Sequence, residues 1–253
     1  MTELTEDYLN RYSRQIMLNQ IGQAGQKKLL QSKVLIIGTG GLGSPAAYYL
    51  AAAGVGEIGL VDYDRVDMSN LQRQILHNTK RLGMLKVESA KKTLTDLNPS
   101  IRINTYPIQV DHENVEELLI AYDLIIAAVD NSASRYLIND SCVRLNKSLV
   151  VAGAAGFEGL VMVVLPGQGP CYRCVFPEPP SLGIKSPKEL GVVGTIPGII
   201  GTIQAMETIK LLLGVGEPLT GRMLIFDGLG MSIQEIKVSK NPACPICGDS
   251  LLK

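Results

Sequence analysis

The side chains in this sequence that could do chemistry fall into two groups. One contains carboxylates, amides and cations that would meet around a nucleotide: Asp62, then Asn70-Leu-Gln-Arg-Gln74, then Lys86, and further on Asp130-Asn131. The other contains thiols, Cys171-Tyr-Arg-Cys174 and Cys244-Pro-Ile-Cys247. Asp62 stands where a carboxylate would accept hydrogen bonds from ribose hydroxyls. An asparagine, an arginine and a lysine converging on the same phosphates would neutralise charge during a reaction, whereas a dehydrogenase needs its pyrophosphate held and left intact. Two C-x-x-C pairs separated by a long insert form a tetrathiolate zinc pattern, a closed set with no open position for water. Two disulfide or redox-active pairs are the competing reading. Pro170, Pro245 and Gly248 favour tight turns that present thiolates, so structural zinc is expected, fastening the tail back near residue 172 and contributing to folding. Cys142 falls alone inside a helical pattern and is expected to be inert core.

These residues need elements to carry them. The apolar run Lys33–Ile37 passes into Gly38-Thr-Gly-Gly-Leu-Gly43, a helical pattern follows over Ser44–Ala53, and a second strand, Glu57–Asp62, ends on an acid. Strand, glycine turn, helix, strand and acid is the order of a dinucleotide-type fold. One glycine lets the turn close, one lets backbone approach phosphate, and one lets helix pack on strand, while the helix N-terminus offers unpaired N–H groups to an anion. Asp123–Asp130 reads as a buried strand. The carboxyl ends of strands line the crevice in open α/β sheets, so Asp62 and Asp130 should project to one place. A simpler role for Asp130 is N-cap of the helix at Ser132–Asn146.

The remaining elements follow from periodicity and punctuation. Residues 5–31 read as helical, with Arg11 and Arg14 as solvated surface residues on periodicity alone. Leu82–Leu97 reads as an amphipathic helix closed by Asn98-Pro99, Ile101–Ile108 as a strand and Glu113–Ile120 as a short helix. Strands are expected at Ser148–Ala152 and Gly156–Leu165. A long loop over 177–197, an apolar helix from Pro197 to Leu213, and a hairpin of Arg222–Asp227 and Met231–Val238 complete the chain. The fold class is therefore α/β: a Rossmann-like doubly wound sheet, parallel in the N-terminal half, with antiparallel strands in the C-terminal half and a zinc-clipped tail. One domain over 1–253 is expected, with N-terminal helices over 1–31, a nucleotide-binding core over 33–165, a crossover loop at 177–197 and a C-terminal helix, hairpin and zinc tail over 198–253.

Composition narrows the class. Of 253 residues, 46% are hydrophobic and 19% charged, which excludes disorder, and acidic and basic side chains balance at 24 each, which leaves no electrostatic footprint for nucleic acid or an anionic membrane. The acidic start, Met1-Thr-Glu-Leu-Thr-Glu-Asp7, has no apolar core, and a cytoplasmic enzyme is expected. His77 and His112, the two histidines, are expected at the surface.

Arg11-Tyr-Ser-Arg-Gln15, the glycine turn, Ser69-Asn-Leu-Gln-Arg-Gln74, Lys86, Asp130-Asn131 and the four paired cysteines together resemble the ThiF/MoeB/HesA family, bacterial relatives of ubiquitin-activating enzymes. The resemblance covers the chain from about Tyr8 to Gly248. It implies adenylation of the C-terminal glycine carboxylate of a small ubiquitin-fold sulfur carrier, MoaD- or ThiS-like and ending in Gly-Gly, with consumption of ATP and Mg2+ and release of pyrophosphate. It implies that Gly41 and neighbouring backbone (Gly38, Gly40, Gly43) contact phosphates, that Asp62 binds ribose, and that Asn70, Arg73 and Lys86 hold the triphosphate. Asp130 would ligate magnesium, with Asp64, Gln74 and Asn131 in the same nucleotide site. Arg14 would reach across a homodimer into the partner's site, which replaces the surface reading of that residue. The chemistry agrees: a C-terminal carboxylate, with a pKa of about 3.5, is already ionised and needs charge neutralisation rather than a general base.

One departure stands out. Sulfur-transferring members carry a cysteine in the crossover loop just before a Gly-Val pair. Aligned on Gly191-Val-Val-Gly194, the region here is Ser186-Pro-Lys-Glu-Leu190, with Pro187 about where that thiol would stand, and no cysteine occurs between Cys174 and Cys244. No fused rhodanese segment is expected either. Adenylation without covalent capture is expected, and a covalent adduct between carrier and a cysteine of this chain in a mass spectrum would refute it. Adenylation of a small-molecule carboxylate, a nicotinamide-dependent oxidoreductase and a non-catalytic binding scaffold are the alternative readings.

Overall fold

The computed structural model describes residues 5–178 and 190–248. Eight strands form one sheet: β1 (Lys33–Ile37), β2 (Glu57–Val61), β3 (Arg102–Tyr106), β4 (Leu124–Ala127), β5 (Ser148–Ala155), β6 (Glu158–Val164), β7 (Arg222–Asp227) and β8 (Ser232–Lys237). Their spatial order is β3-β2-β1-β4-β5-β6-β7-β8. The first five pair in parallel, and β6, β7 and β8 pair antiparallel. The chain leaves β1 for β2 on one side and returns to β4 on the other, so the strand order reverses between β1 and β4. That switch point is where an open α/β sheet offers its ligand crevice.

Alternation along the strands explains why they read as unbroken apolar runs. Val34, Ile36, Ile58, Leu60, Leu124 and Ile126 face one core, while Leu35, Ile37, Val61, Ile125 and Ala127 face the other. The first core is covered by α3 (Gly22–Gln31), α4 (Gly43–Ala53), α5 (Lys86–Leu97) and α9 (Thr195–Leu213); the second by α6 (Val115–Ile120), α7 (Ser132–Arg144) and α8 (Tyr172–Val175). By length and composition α9 is apolar enough to cross a membrane, and half of it is buried in the fold. Within it Glu207 pairs with Lys210 and accepts the Leu219 N–H at 2.8 Å.

Several element bounds differ from the periodic pattern. The N-terminal helical stretch breaks into α1 (Glu6–Arg11), α2 (Ser13–Ile16) and α3. The first break falls at Tyr12, whose ring is buried and whose hydroxyl accepts from Asn98 Nδ2 at 2.8 Å, and the second at residues 17–21. The helix expected from Leu82 starts at Lys86 instead. Residues 83–86 are engaged elsewhere, since the Gly83 and Lys86 N–H groups donate to the Val66 and Asp64 carbonyls, and the Val66 N–H to Met84. That small ladder sets Lys86 at the very start of α5. Of the expected loop over 177–197, residues 179–189 lie outside the described residues, and so does Pro187. The segment after them is held to the β5–β6 turn: Gly156 N–H donates to the Gly191 carbonyl and Val193 N–H to the Gly156 carbonyl.

Candidate active site

A cleft opens at the carboxyl ends of β1, β2 and β4. Its wall includes Gly38, Gly40, Gly41, Asp62, Asp64, Arg73, Gln74, Lys86, Asp130 and Asn131. The glycine turn is shaped by contacts that no side chain could replace. Gly38 has φ of 98°, and a Cβ there would lie 2.5 Å from the Ala128 carbonyl oxygen; a Cβ on Gly43 would lie 1.9 Å from the Gly38 carbonyl oxygen. Gly43 thus packs helix on strand and is not part of the cleft wall. No side chain caps the N-terminus of α4; within its first turn the Ser44 N–H donates to the Gly40 carbonyl and Pro45 has no N–H, which leaves that of Gly43.

Asp62 is oriented from three sides. Its Oδ2 accepts the Thr39 N–H at 2.9 Å and the Thr39 hydroxyl at 3.0 Å, and its Oδ1 accepts the Asp64 N–H at 2.9 Å. Oδ1 keeps a lone pair for a further donor. Lys86 is buried to 5% exposure, and its ammonium pairs with Asp64 Oδ2 at 2.8 Å. Arg73 donates to the Ser69 carbonyl at 3.0 Å, so its guanidinium has further N–H groups for the cleft. Gln74 is buried, and its Oε1 has no partner. Asp130 sits exposed just beyond β4, and Asn131, rather than Asp130, caps α7 by accepting the Ser134 N–H at 2.8 Å.

Besides Gly43, two further expected site residues do not reach the cleft wall. Asn70 lies at the end of a short 3-10 turn, and its carbonyl accepts the Arg73 and Gln74 N–H groups, so it shapes the turn that presents them. Arg14 lies exposed on α2 and is not among the residues lining the cleft. One residue lining the cleft went unread in the sequence, and one packed behind it was read as surface. Arg135 lines it, donating to the Val129 carbonyl at 2.9 Å with Tyr172 5.8 Å from its guanidinium carbon. The other is His77, which corrects the surface expectation: it is 6% exposed, packed behind the glycine turn. Nothing in its neighbourhood along the chain signals this. His112 is exposed as expected, and Cys142 is fully buried, its thiol pushed up by burial.

Burial pushes the His77 imidazole down to about 4 from 6.5; Lys86 and Arg81 add to this, against the Thr39 carbonyl and Asp62. The folded pKa lies below the unfolded one, so the contribution to stability is complete above pH 6.5 and is lost as pH falls towards 4. The shift corresponds to about 3 kcal/mol. Urea unfolding between pH 7 and pH 4 should therefore show a shallower loss of stability in His77→Gln than in wild type by about that amount. Parallel curves for the two proteins would refute it.

The second group of residues also converges. The sulfurs of Cys171, Cys174, Cys244 and Cys247 all lie within 4.8 Å of one another, with nearest pairs at 3.3, 3.6 and 4.0 Å. All four thiols are free. The Asn241 N–H donates to Cys174 Sγ at 3.4 Å, as suits a thiolate. Tetrahedral zinc with zinc–sulfur distances of about 2.3 Å puts its ligand sulfurs about 3.8 Å apart, so this donor set fits that ion.

Residues 12–246 match the ThiF family. The chain is 46% identical over 251 residues to a sulfur carrier protein adenylyltransferase of Thermus thermophilus, covering 97% of this chain and 93% of that protein. It is 48% identical over 247 residues to the adenylyltransferase and sulfurtransferase MOCS3 of Drosophila virilis, spanning only 55% of that protein's length. Among solved structures, Escherichia coli MccB with ATP superposes with a TM-score of 0.83 at 25% identity, over 95% of this chain and 75% of that one. MccB with MccA-N7isoASN gives the same TM-score at 24% identity and shows the shared fold.

Proposed function

This chain belongs to the ThiF family and is an adenylyltransferase, and from that premise we propose that it adenylates the C-terminal glycine carboxylate of a small ubiquitin-fold sulfur carrier. The name of the Thermus relative supports the carrier as substrate. The observation that carries the reading is the company Lys86 and Arg73 keep: both line one cleft with the glycine turn, Asp62 and Asp130. The carrier's ionised carboxylate attacks the α-phosphorus of ATP, forming the acyl–phosphate bond as the bond to pyrophosphate breaks. The chain's part is to bind, orient and neutralise: Asp62 takes the ribose, Arg73 and Lys86 the triphosphate. Asp130, with phosphate oxygens, would supply the oxygen set that magnesium prefers, and the metal would add charge neutralisation there. Zinc would be held by Cys171, Cys174, Cys244 and Cys247, a closed ligand set that takes no part in the chemistry. With no cysteine between Cys174 and Cys244, the acyl-adenylate is the product and sulfur comes from another protein.

The test is ATP–pyrophosphate exchange with a panel of small carriers ending in Gly-Gly. Exchange with one carrier, lost in Asp130→Ala, is the expected result. ATP binding without exchange for any carrier would move the assignment to a small-molecule carboxylate or a non-catalytic role.

We further infer a homodimer in which Arg14 serves the partner's site, since Arg14 is exposed and outside its own cleft. Arg14→Ala and Asp130→Ala should each be inactive alone. Mixed and allowed to exchange subunits, they should recover roughly a quarter of wild-type activity, because half the dimers are mixed and each has one intact site. No recovery in mixed dimers, or a monomer in sedimentation at micromolar concentration, would remove the claim.

A further inference from the structure

His77 is fully packed at the back of the cleft, and nothing in the adenylation chemistry uses it. Its Nε2 lies 3.1 Å from the Thr39 carbonyl oxygen and its Nδ1 3.0 Å from Ser89 Oγ. A carbonyl only accepts, so Nε2 carries the hydrogen and Nδ1 accepts from the Ser89 hydroxyl. Burial keeps the ring neutral, and in this tautomer both nitrogens are satisfied.

The two partners belong to different segments, and each leads on to a nucleotide-facing side chain. Thr39 is in the glycine turn, and its N–H and hydroxyl hold Asp62; Asp62 accepts the Asp64 N–H; the Asp64 carboxylate pairs with Lys86. Lys86 opens α5, and Ser89 follows within its first turn. The bonds therefore close a ring, Ser89–His77–Thr39–Asp62–Asp64–Lys86 and back through α5. That ring spans the glycine turn, the end of β2 and the helix carrying the phosphate-facing cation. Thr39 and Ser89 are completely buried, so water does not replace a missing link without reorganisation.

We propose that His77 is a positioning residue for nucleotide binding: it ties the glycine turn to α5 and so fixes the ribose-side carboxylate and the phosphate-side ammonium relative to each other. This rests on the reading of the cleft as an ATP site. A flexible amide does not substitute fully, because glutamine offers its donor and acceptor from one end rather than from opposite edges of a rigid ring. A histidine that merely fills the core predicts something different, namely lower stability with unchanged nucleotide affinity in the folded fraction.

The experiment is calorimetric titration of ATP into the full chain for wild type, Ser89→Ala, His77→Gln and the double variant, with exchange kinetics alongside. Breaking a supporting bond behind a ligand-facing group typically costs on the order of 10-fold in affinity, so each single variant should raise the ATP Kd by about that factor and raise KM while leaving kcat within about 2-fold. A ring broken once is already open, so the double variant should bind no worse than the weaker single one. Unchanged Kd in folded single variants, or effects that simply multiply in the double variant, would overturn the role. A wild-type chain that fails to bind ATP would instead sink the cleft reading, and the His77 role with it; the two failures are distinct results.

Discussion

Pyrophosphate exchange should fall by about a hundred- to a thousand-fold when Lys86 is replaced by methionine, while the thermal midpoint stays within about 3 °C of wild type. The catalytic loss follows from charge. Two anions meet at the α-phosphorus, and Lys86 is a buried cation in the cleft wall, where a fixed charge acts through little water. Methionine keeps the length and apolar stem of the side chain and removes only the ammonium. The small stability change follows from the partner. Asp64's side chain is 44% exposed, so once unpaired it is solvated rather than stranded. A decline of less than tenfold, or a midpoint that collapses together with activity, would show that Lys86 serves the fold rather than the phosphates.

Opening the cysteine cluster should cost stability rather than chemistry. Replacing Cys244 with serine, or stripping the site with a chelator under reducing conditions, should lower the midpoint by about 10–15 °C. The bridged sulfurs are 73 residues apart in sequence, and a cross-link closing a loop of that size restrains the unfolded chain by about 4 kcal/mol. For a chain of this length each kcal/mol moves the midpoint by about 2–4 °C. A midpoint that responds to reductant but not to chelator would replace the metal by disulfides. Metal analysis giving less than one zinc per chain after purification without chelator would count against the clip directly.

What could be read in advance was whatever depended on local pattern. The Gly38–Gly43 turn, Asp62 and Asp130 follow from strand, turn and strand-end rules, and the structure puts their segments at one crevice. The sheet's change from parallel to antiparallel was visible in the hairpin spacing of Arg222–Asp227 and Met231–Val238. What escaped depended on partners far along the chain. Leu82 and Leu85 continue a helical period, but the backbone there is claimed by residues 64–66. Tyr12 fits a helix, yet it is fixed by Asn98. His77 sits beside polar Asn78 with no local sign of burial, and only the meeting of Thr39 and Ser89 encloses it. Asn70 and Arg73 lie three residues apart, and no spacing rule says which of them faces the cleft and which shapes the turn.

The sheet order also sets a schedule for synthesis. β1 pairs with β4 through Val34↔Leu124 and its neighbours, contacts about ninety residues apart in sequence. As the chain emerges, β1, β2 and β3 can assemble first, which leaves one edge of β1 unpaired while Val34, Leu35, Ile36 and Ile37 wait for their second neighbour. An open apolar edge invites pairing with another nascent chain. Among the later strands β5 and β6 are joined by a two-residue turn and β7 and β8 by a four-residue one, whereas β6 waits across residues 165–221 for β7. The open edge of β1 therefore closes with the emergence of residues 124–127, and changes that slow translation between β3 and that point should raise aggregation.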